Sequence, residues 1–193
     1  MNCYIYIYTI KYRYIGETIM EVSIRNKWVS LGGSSTVKDM DEKDLLFVKG
    51  RIFSFTRKKF VQDLSGNTLF VVRNKFWRLF QRKAFVEKPD KTIIATVRRK
   101  IFSLHDHYYV TSDLGDLQIR GNILQYDYHI TLNGEEIGHI SRMISLRDSF
   151  ILTLDDKYDL ATFVSLVIAI DLIVDRQRRD QSSSSDSSSS SDF

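Results

Sequence analysis

Cysteine, proline and long apolar runs are what this chain has least of. A single cysteine, Cys3, excludes an intramolecular disulfide framework and fits a reducing cytosol. With one proline, Pro89, and nine glycines there is no Pro/Gly-rich linker, and no charged linker divides the chain. The 193 residues, 43% apolar, therefore read as one domain with a sizeable core and two tails. The amino terminus, MNCYIYIYTIKYRYIG, lacks the basic stretch and apolar stretch of a secretion signal, and its Tyr/Ile alternation is strand-like. The most apolar segment, Leu160 to Val174, is shorter than the roughly 20 residues of a membrane span and contains Asp171. No transmembrane span is expected, and the chain reads as cytoplasmic.

What is present is a repeat. A large aromatic or apolar residue returns at Trp28, Phe53, Trp77 and Phe102, and in weaker form at Leu124 and Ile144. Turn chemistry falls near the middle of each unit: Asp41 to Asp44, Ser65-Gly66-Asn67, Pro89-Asp90, Leu114-Gly115-Asp116, Asn133-Gly134 and Asp155-Asp156. Six two-strand units follow. Alternation places the strands near 24–30, 35–39, 46–54, 59–63, 68–77, 83–87, 92–102, 107–112, 117–123, 127–132, 137–144 and 149–154. A helix pattern over 159–179 comes after them, apolar on every face apart from Thr162, Ser165 and Asp171. Such a helix must be buried on all sides. Its width of about 10–12 Å exceeds the lumen of an eight-stranded barrel, whereas twelve strands can enclose it. The expected fold is all-β with one helix: a closed antiparallel barrel of about twelve strands threaded by the hydrophobic C-terminal helix.

The expected domain layout is an N-terminal extension over 1–19, either an added strand or a start assigned too early, then the barrel domain over 20–180 and a tail over 181–193. The tail, nine serines with two aspartates and one phenylalanine from Ser182 to Phe193, lacks the apolar surface to order itself.

Charge is unevenly distributed. Lys49 to Lys100 holds 15 Lys/Arg against 3 Asp/Glu, a balance of +12. Ile101 to Leu172 holds 4 against 11, a balance of −7. Because sequential hairpins are usually neighbours in space, one side of the barrel is expected to be basic and the other acidic. The basic residues cluster at strand ends, at Arg57-Lys58-Lys59, Arg73 and Lys75, Arg82-Lys83 and Arg98-Arg99-Lys100, with Phe76, Trp77 and Phe80 among them. These ten cations are the candidate anion-binding residues, suited to phosphates on lipid or nucleic acid. Solvation of strand edges and loop tips is the alternative role.

Sharper chemistry finds little support. His105-Asp106-His107 has the look of a metal clip, but neighbouring strand residues point to opposite faces, and with four histidines and no Cys partner neither metal nor cofactor is expected. Ser103 and His105 lack an elbow motif or an oxyanion-hole glycine run, so no catalytic residue is assigned and the chain reads as a non-enzyme. Asp171 and Asp175 form an i, i+4 pair at the exiting end of the helix, which places Asp171 at a wet end of the barrel or against a polar partner in the lumen.

An ordered set of segments carries a resemblance: Lys49-Gly-Arg-Ile-Phe-Ser54, Asp63-Leu-Ser-Gly-Asn67, Arg99-Lys-Ile-Phe-Ser-Leu104, Gly121-Asn122, Tyr126-Asp-Tyr-His-Ile130 and Ile168-Ala-Ile-Asp171. Over Ile24 to Gln177 the chain resembles the LURP-one-related family, and its short bacterial members more closely than the plant ones. The resemblance implies the tubby C-terminal-like fold, a twelve-stranded barrel around a central helix. It also implies a distant relation to tubby proteins, which bind phosphoinositides, and to phospholipid scramblases. Tubby's phosphoinositide-binding residues match no positions here. The functional expectation is a cytosolic barrel, peripheral to a membrane, whose basic half binds an anionic membrane surface or phospholipid. The alternatives are a structural or protein-interaction scaffold and, more weakly, a nucleic-acid-binding module or a scramblase-like protein.

Overall fold

Alternating apolar and polar residues build thirteen antiparallel strands among the residues that the computed structural model describes, which are 13–14, 17–25, 34–39, 43–50, 58–74, 83–100, 106–122, 127–142 and 149–185. The strands are β1 (Arg13–Tyr14), β2 (Glu17–Arg25), β3 (Ser34–Lys38), β4 (Asp44–Gly50), β5 (Lys59–Gln62), β6 (Thr68–Asn74) and β7 (Lys83–Glu87). They continue as β8 (Ile93–Arg99), β9 (Asp106–Ser112), β10 (Gly115–Asn122), β11 (Asp127–Leu132), β12 (Glu135–Arg142) and β13 (Ser149–Asp155), before helix α1 (Leu160–Ser185).

Each strand from β3 onward pairs with its sequence neighbours, and β2 pairs with β13 along Ile19 to Arg25. The ring closes where Ser23 of β2 meets Lys38 of β3. This is the expected twelve-stranded closed barrel, with β1 added as a short hairpin on the start of β2. The pair of Ser23 and Lys38 is the seam of the ring, the other neighbouring strands of the ring being paired over four or more residues.

Eleven of the twelve expected strands coincide with observed ones. The first, expected at 24–30, begins earlier, at Glu17 of β2, and its residues 26–30 lie outside the described residues. The inward residues are Val22 and Ile24, both buried, and pairing with β13 rather than proximity to Trp28 sets the register. The repeat anchors Trp28, Phe53, Trp77, Phe102, Leu124 and Ile144 lie outside the described residues. The expected turn at Asn133-Gly134 has positive φ at both positions, 52° and 89°, as a type I′ hairpin turn requires.

Helix α1 begins at a designed cap. Asp159 Oδ2 accepts from the Thr162 backbone N–H at 2.8 Å and from its hydroxyl at 2.6 Å, satisfying a first-turn donor that would otherwise lack a partner. The helix runs past Arg179 to Ser185. From Phe163 to Ile170 every residue is buried, on all faces of the helix, so the barrel wall surrounds it. Ser165, the polar residue in that stretch, donates its hydroxyl to the Ala161 carbonyl at 2.7 Å.

The two walls of the barrel differ in side-chain size, and this decides where the helix lies. Inward residues on β5 to β8 are small: Val61, Val72, Ala84, Val86, Ala95 and Val97. Those on β9 to β13 are larger apart from Val110: Tyr108, Leu117, Ile119, Tyr128, Ile130, Phe150, Leu152 and Leu154. The helix backbone approaches β5, β6, β7 and β8 within 8 Å Cα to Cα, and the larger residues fill the space left on the opposite side. Packing at interior density leaves such volume differences no other outlet.

Two substitutions test this arrangement. Val164→Asp buries an unpaired charge at a fully buried position and should cost several kcal/mol, enough to unfold the domain. Ala84→Leu on the small wall should cost about 1–3 kcal/mol by overpacking against the helix, read as a lower midpoint in urea unfolding; an unchanged midpoint would mean that the helix does not press on that wall.

Candidate functional site

Of the ten candidate anion-binding residues, Arg57, Lys75 and Arg82 lie outside the described residues. The remaining seven fall into three groups. Arg73 is engaged in the sheet: its guanidinium donates to Glu87 Oε1, with Nε at 2.8 Å, and lies 4.8 Å over the Phe85 ring. Glu87 is nearly buried, so this pair is structural. Arg99 alternates with Val97 and therefore leaves from the inner face, where it is paired with buried Asp106 at the barrel's end. Lys59 alternates with Val61 and also leaves from the inner face, half-buried at the same end, and Lys58 just precedes it.

Lys83, Arg98 and Lys100 form the third group, on the outside. Lys83 of β7 stands directly across from Arg98 of β8, and Arg98 stands across from Tyr109 of β9. Arg98 and Lys100 are exposed, and Tyr109 is 40% exposed. The Lys100 N–H donates to the His107 carbonyl at 2.8 Å, which carries the strip one residue beyond β8. Arg120 of β10 adds a further cation, its Nη2 donating to Gln118 Oε1 at 2.6 Å and its Nε lying 3.1 Å from His107 Nε2. The result is a continuous outer strip of cations around an exposed tyrosine.

His107 is tuned by this strip. Its Nε2 lies 3.1 Å from both Arg120 Nε and Gln118 Oε1 and cannot accept from one while donating to the other. Burial lowers its pKa, and the Arg120 and Lys100 charges lower it further against the pull of Gln118. The neutral ring accepting from Arg120 is therefore the favoured form. As alternation requires, His107 faces outward and Asp106 inward, so the two never converge on one ion; His105 lies outside the described residues.

The end of the barrel that holds Arg99 and Asp106 is also where the helix leaves. Asn74, buried on β6, donates its Nδ2 to the Leu172 carbonyl at 3.0 Å and fixes the helix to the small wall. Across the lumen, Asp171 is half-buried in a cleft lined by Tyr128, Ile140, Phe150, Val167, Ile170 and Val174. Asp171 therefore lies towards the end from which the helix leaves the barrel.

Sequence reasoning missed Tyr109 and Arg120, whose strands lie in the net acidic half and join the basic strip only through register. It also missed a cluster on the acidic half. There His129 Nδ1 lies 2.9 Å from Glu136 Oε1, and His139 Nε2 bonds Asp127. The Glu136 hydrogen bond raises the pKa of His129, with the charges of Glu136 and Asp127 acting in the same direction.

A closed twelve-stranded barrel holding one C-terminal helix defines the class of protein. The chain belongs to the LURP-one-related family, whose model matches residues 20–171. It is 24% identical over 158 residues to the uncharacterized protein YxjI of Bacillus subtilis (strain 168), covering 81% of this chain and 94% of that one. An X-ray structure of a protein from Arabidopsis thaliana has the same fold, with a TM-score of 0.58 and 16% identity over 79% of this chain and 90% of that chain. No helix among the described residues is long and apolar enough to cross a membrane.

The two histidine environments should separate in a pH titration followed by NMR. His129 should titrate above the ordinary imidazole value and His107 below it. By linkage, the His129 contribution to stability is present below its unfolded pKa and lost as pH rises through its folded one. The His107 contribution runs the other way: it is present above the unfolded pKa and lost as pH falls through the folded one. Coincident midpoints for the two rings would contradict the assigned contacts.

Proposed function

We propose that this barrel is a non-enzymatic binding module of the cytosolic side, and that its outer basic strip docks on an anionic membrane surface or phospholipid headgroup. The observation that carries the reading is the direct opposition of Lys83 and Arg98 beside exposed Tyr109. Two cations in cross-strand register on an outer face can share one phosphate, which attracts both. A tyrosine with an apolar body and a polar tip suits the headgroup level of a bilayer. The charge pattern agrees. Strands β5 to β8 form one arc of the wall and derive from the +12 segment, while β9 to β13 form another arc from the −7 segment. A barrel with one basic arc presents that arc to an anionic surface.

The residues that take part are narrower than the sequence suggested. Arg73 holds Glu87, and Arg99 holds Asp106 on the inner face, whereas Lys83, Arg98 and Lys100 stand on the outer face, so these three are the cations proposed to meet lipid, with Lys58 and Lys59 nearer the barrel's end.

Co-sedimentation with vesicles tests the reading. Wild type should bind vesicles containing phosphatidylserine and not neutral ones, and binding should fall with salt because exposed charges are screened over about 8–10 Å. Each basic residue near such a surface is worth about 1 kcal/mol, so the Lys83→Glu, Arg98→Glu, Lys100→Glu triple variant should bind on the order of 100-fold more weakly. Its fold should survive, since none of the three positions points into the core. Equal affinity for anionic and neutral vesicles favours the scaffold reading, and retention of an oligonucleotide in a parallel shift assay favours nucleic acid.

A further inference from the structure

Four side chains converge on the outer face of the β11–β12 hairpin, in the acidic half. Asp127 and His129 stand two residues apart on β11 and so share a face. His139 stands directly across from His129 on β12, with ring centroids 4.8 Å apart. One ligand atom from each of Asp127, His129 and His139 lies within 4.8 Å of the others. Glu136 Oε1 lies 2.9 Å from His129 Nδ1.

This convergence is built by an irregularity in the strand. Glu136 and His139 are three residues apart, and on a regular strand they would face opposite sides of the sheet. Ile130 pairs with Gly138 whereas Thr131 pairs with Glu136, which leaves Ile137 as the extra residue of a β-bulge. Ile137 turns inward and is 8% exposed. At Gly138 a Cβ would stand 2.6 Å from the Thr153 carbonyl oxygen, so glycine permits the close approach of β13 at the bulge. Without the bulge, the two-residue turn at Asn133-Gly134 would set His129 opposite Gly138 and send His139 into the barrel. The bulge instead brings Glu136, His139, His129 and Asp127 to one exposed face, and bulges commonly re-aim side chains in this way at sites.

From this convergence the geometry points to a binding site for a divalent transition-metal ion, Zn(II) fitting best, held by Asp127, His129 and His139 on the outside of the barrel. Two imidazoles and a carboxylate form a donor set of borderline softness, which suits zinc, nickel, cobalt or copper rather than magnesium or calcium. Ligands at about 2.0–2.2 Å from a tetrahedral ion stand about 3.4 Å apart. The ligand atoms already lie within 4.8 Å of one another on exposed or half-buried side chains, which have room to close on an ion. The ion takes the place of the hydrogen bond between His139 Nε2 and Asp127. Glu136 accepts from His129 Nδ1–H and orients the ring, leaving Nε2 for the metal, in the manner of a carboxylate–histidine–metal triad. Water completes the coordination. Arg120, across from His129 on β10, is the cation nearest in register, but its guanidinium is engaged with Gln118 and His107 on the side away from β11.

The test uses the full chain without an affinity tag, stripped of metal by a chelator and titrated with Zn(II) by calorimetry and with Co(II) by absorption. One ion per chain and the intense visible bands of tetrahedral cobalt are expected. His129→Ala and His139→Ala should each abolish those bands, and Glu136→Ala should weaken zinc binding about 10- to 100-fold. Asp113→Asn, in an exposed turn of the same half, should leave binding unchanged. Binding that survives loss of either histidine, or no saturable binding by wild type, overturns the site. Should a variant fail to fold, wild type answers alone. One equivalent of Zn(II) should shift the ring resonances of His129 and His139 in NMR and leave those of His107 in place. Unmoved His129 and His139 signals would overturn the proposal equally.

Discussion

Everything in this fold depends on one constraint: a helix that is apolar on all faces has to be taken out of water on all faces. Each of Phe163, Leu166, Ile170, Leu172 and Ile173, buried in the lumen, contributes about 1.5 to 3 kcal/mol relative to exposure. No single sheet face or neighbouring helix could cover them together. A barrel wide enough to admit a helix does so, and in closing it also pairs the strand edges. The small inner residues of β5 to β8 and the large ones of β9 to β13 follow from the same constraint, because a lumen filled by a helix must match it in volume around the whole circumference.

The placement of polar chemistry then follows from the lumen being full. Among the described residues, polar groups on inner-face positions gather near an end, where Arg99 meets Asp106 and the Asn74 amide meets the Leu172 carbonyl. Asp171 sits in the cleft at that same end. Function is left to the outside of the wall and to the barrel's ends. The outer face carries two features of opposite character, a basic strip centred on Arg98 and Tyr109 and an acidic, histidine-bearing cluster on the β11–β12 hairpin. One suits anions and the other a cation.

Most of the fold was legible in the sequence because its signals are local. Period-two alternation placed β3 to β13, the Asn133-Gly134 pair placed a type I′ turn, and the all-round apolar pattern from Leu160 to Val174 implied enclosure. The early start of β2 was not legible because it is set by pairing with β13, a contact between distant parts of the chain that no local pattern records. The candidate site was less legible. The sequence showed that Lys83, Arg98, Arg99 and Lys100 are basic and close to strand ends, but only register separates Arg99, on the inside with Asp106, from Arg98, on the outside with Tyr109. The His129 cluster was hidden for a sharper reason. The two-residue turn predicts a regular hairpin, in which His139 would face the core, and the bulge at Ile137 reverses that assignment. Bulges leave no dependable mark on a single sequence.

Amide hydrogen exchange on the native protein tests the enclosure of the helix most directly. If the barrel wall surrounds it, amides from Phe163 to Val174 can exchange only when the barrel itself opens, so their protection should equal that of the most protected amides in β6, β7 and β8. Helix amides that exchange orders of magnitude faster than those strands, under conditions where the strands stay protected, would show that the helix leaves the lumen independently and would contradict the account.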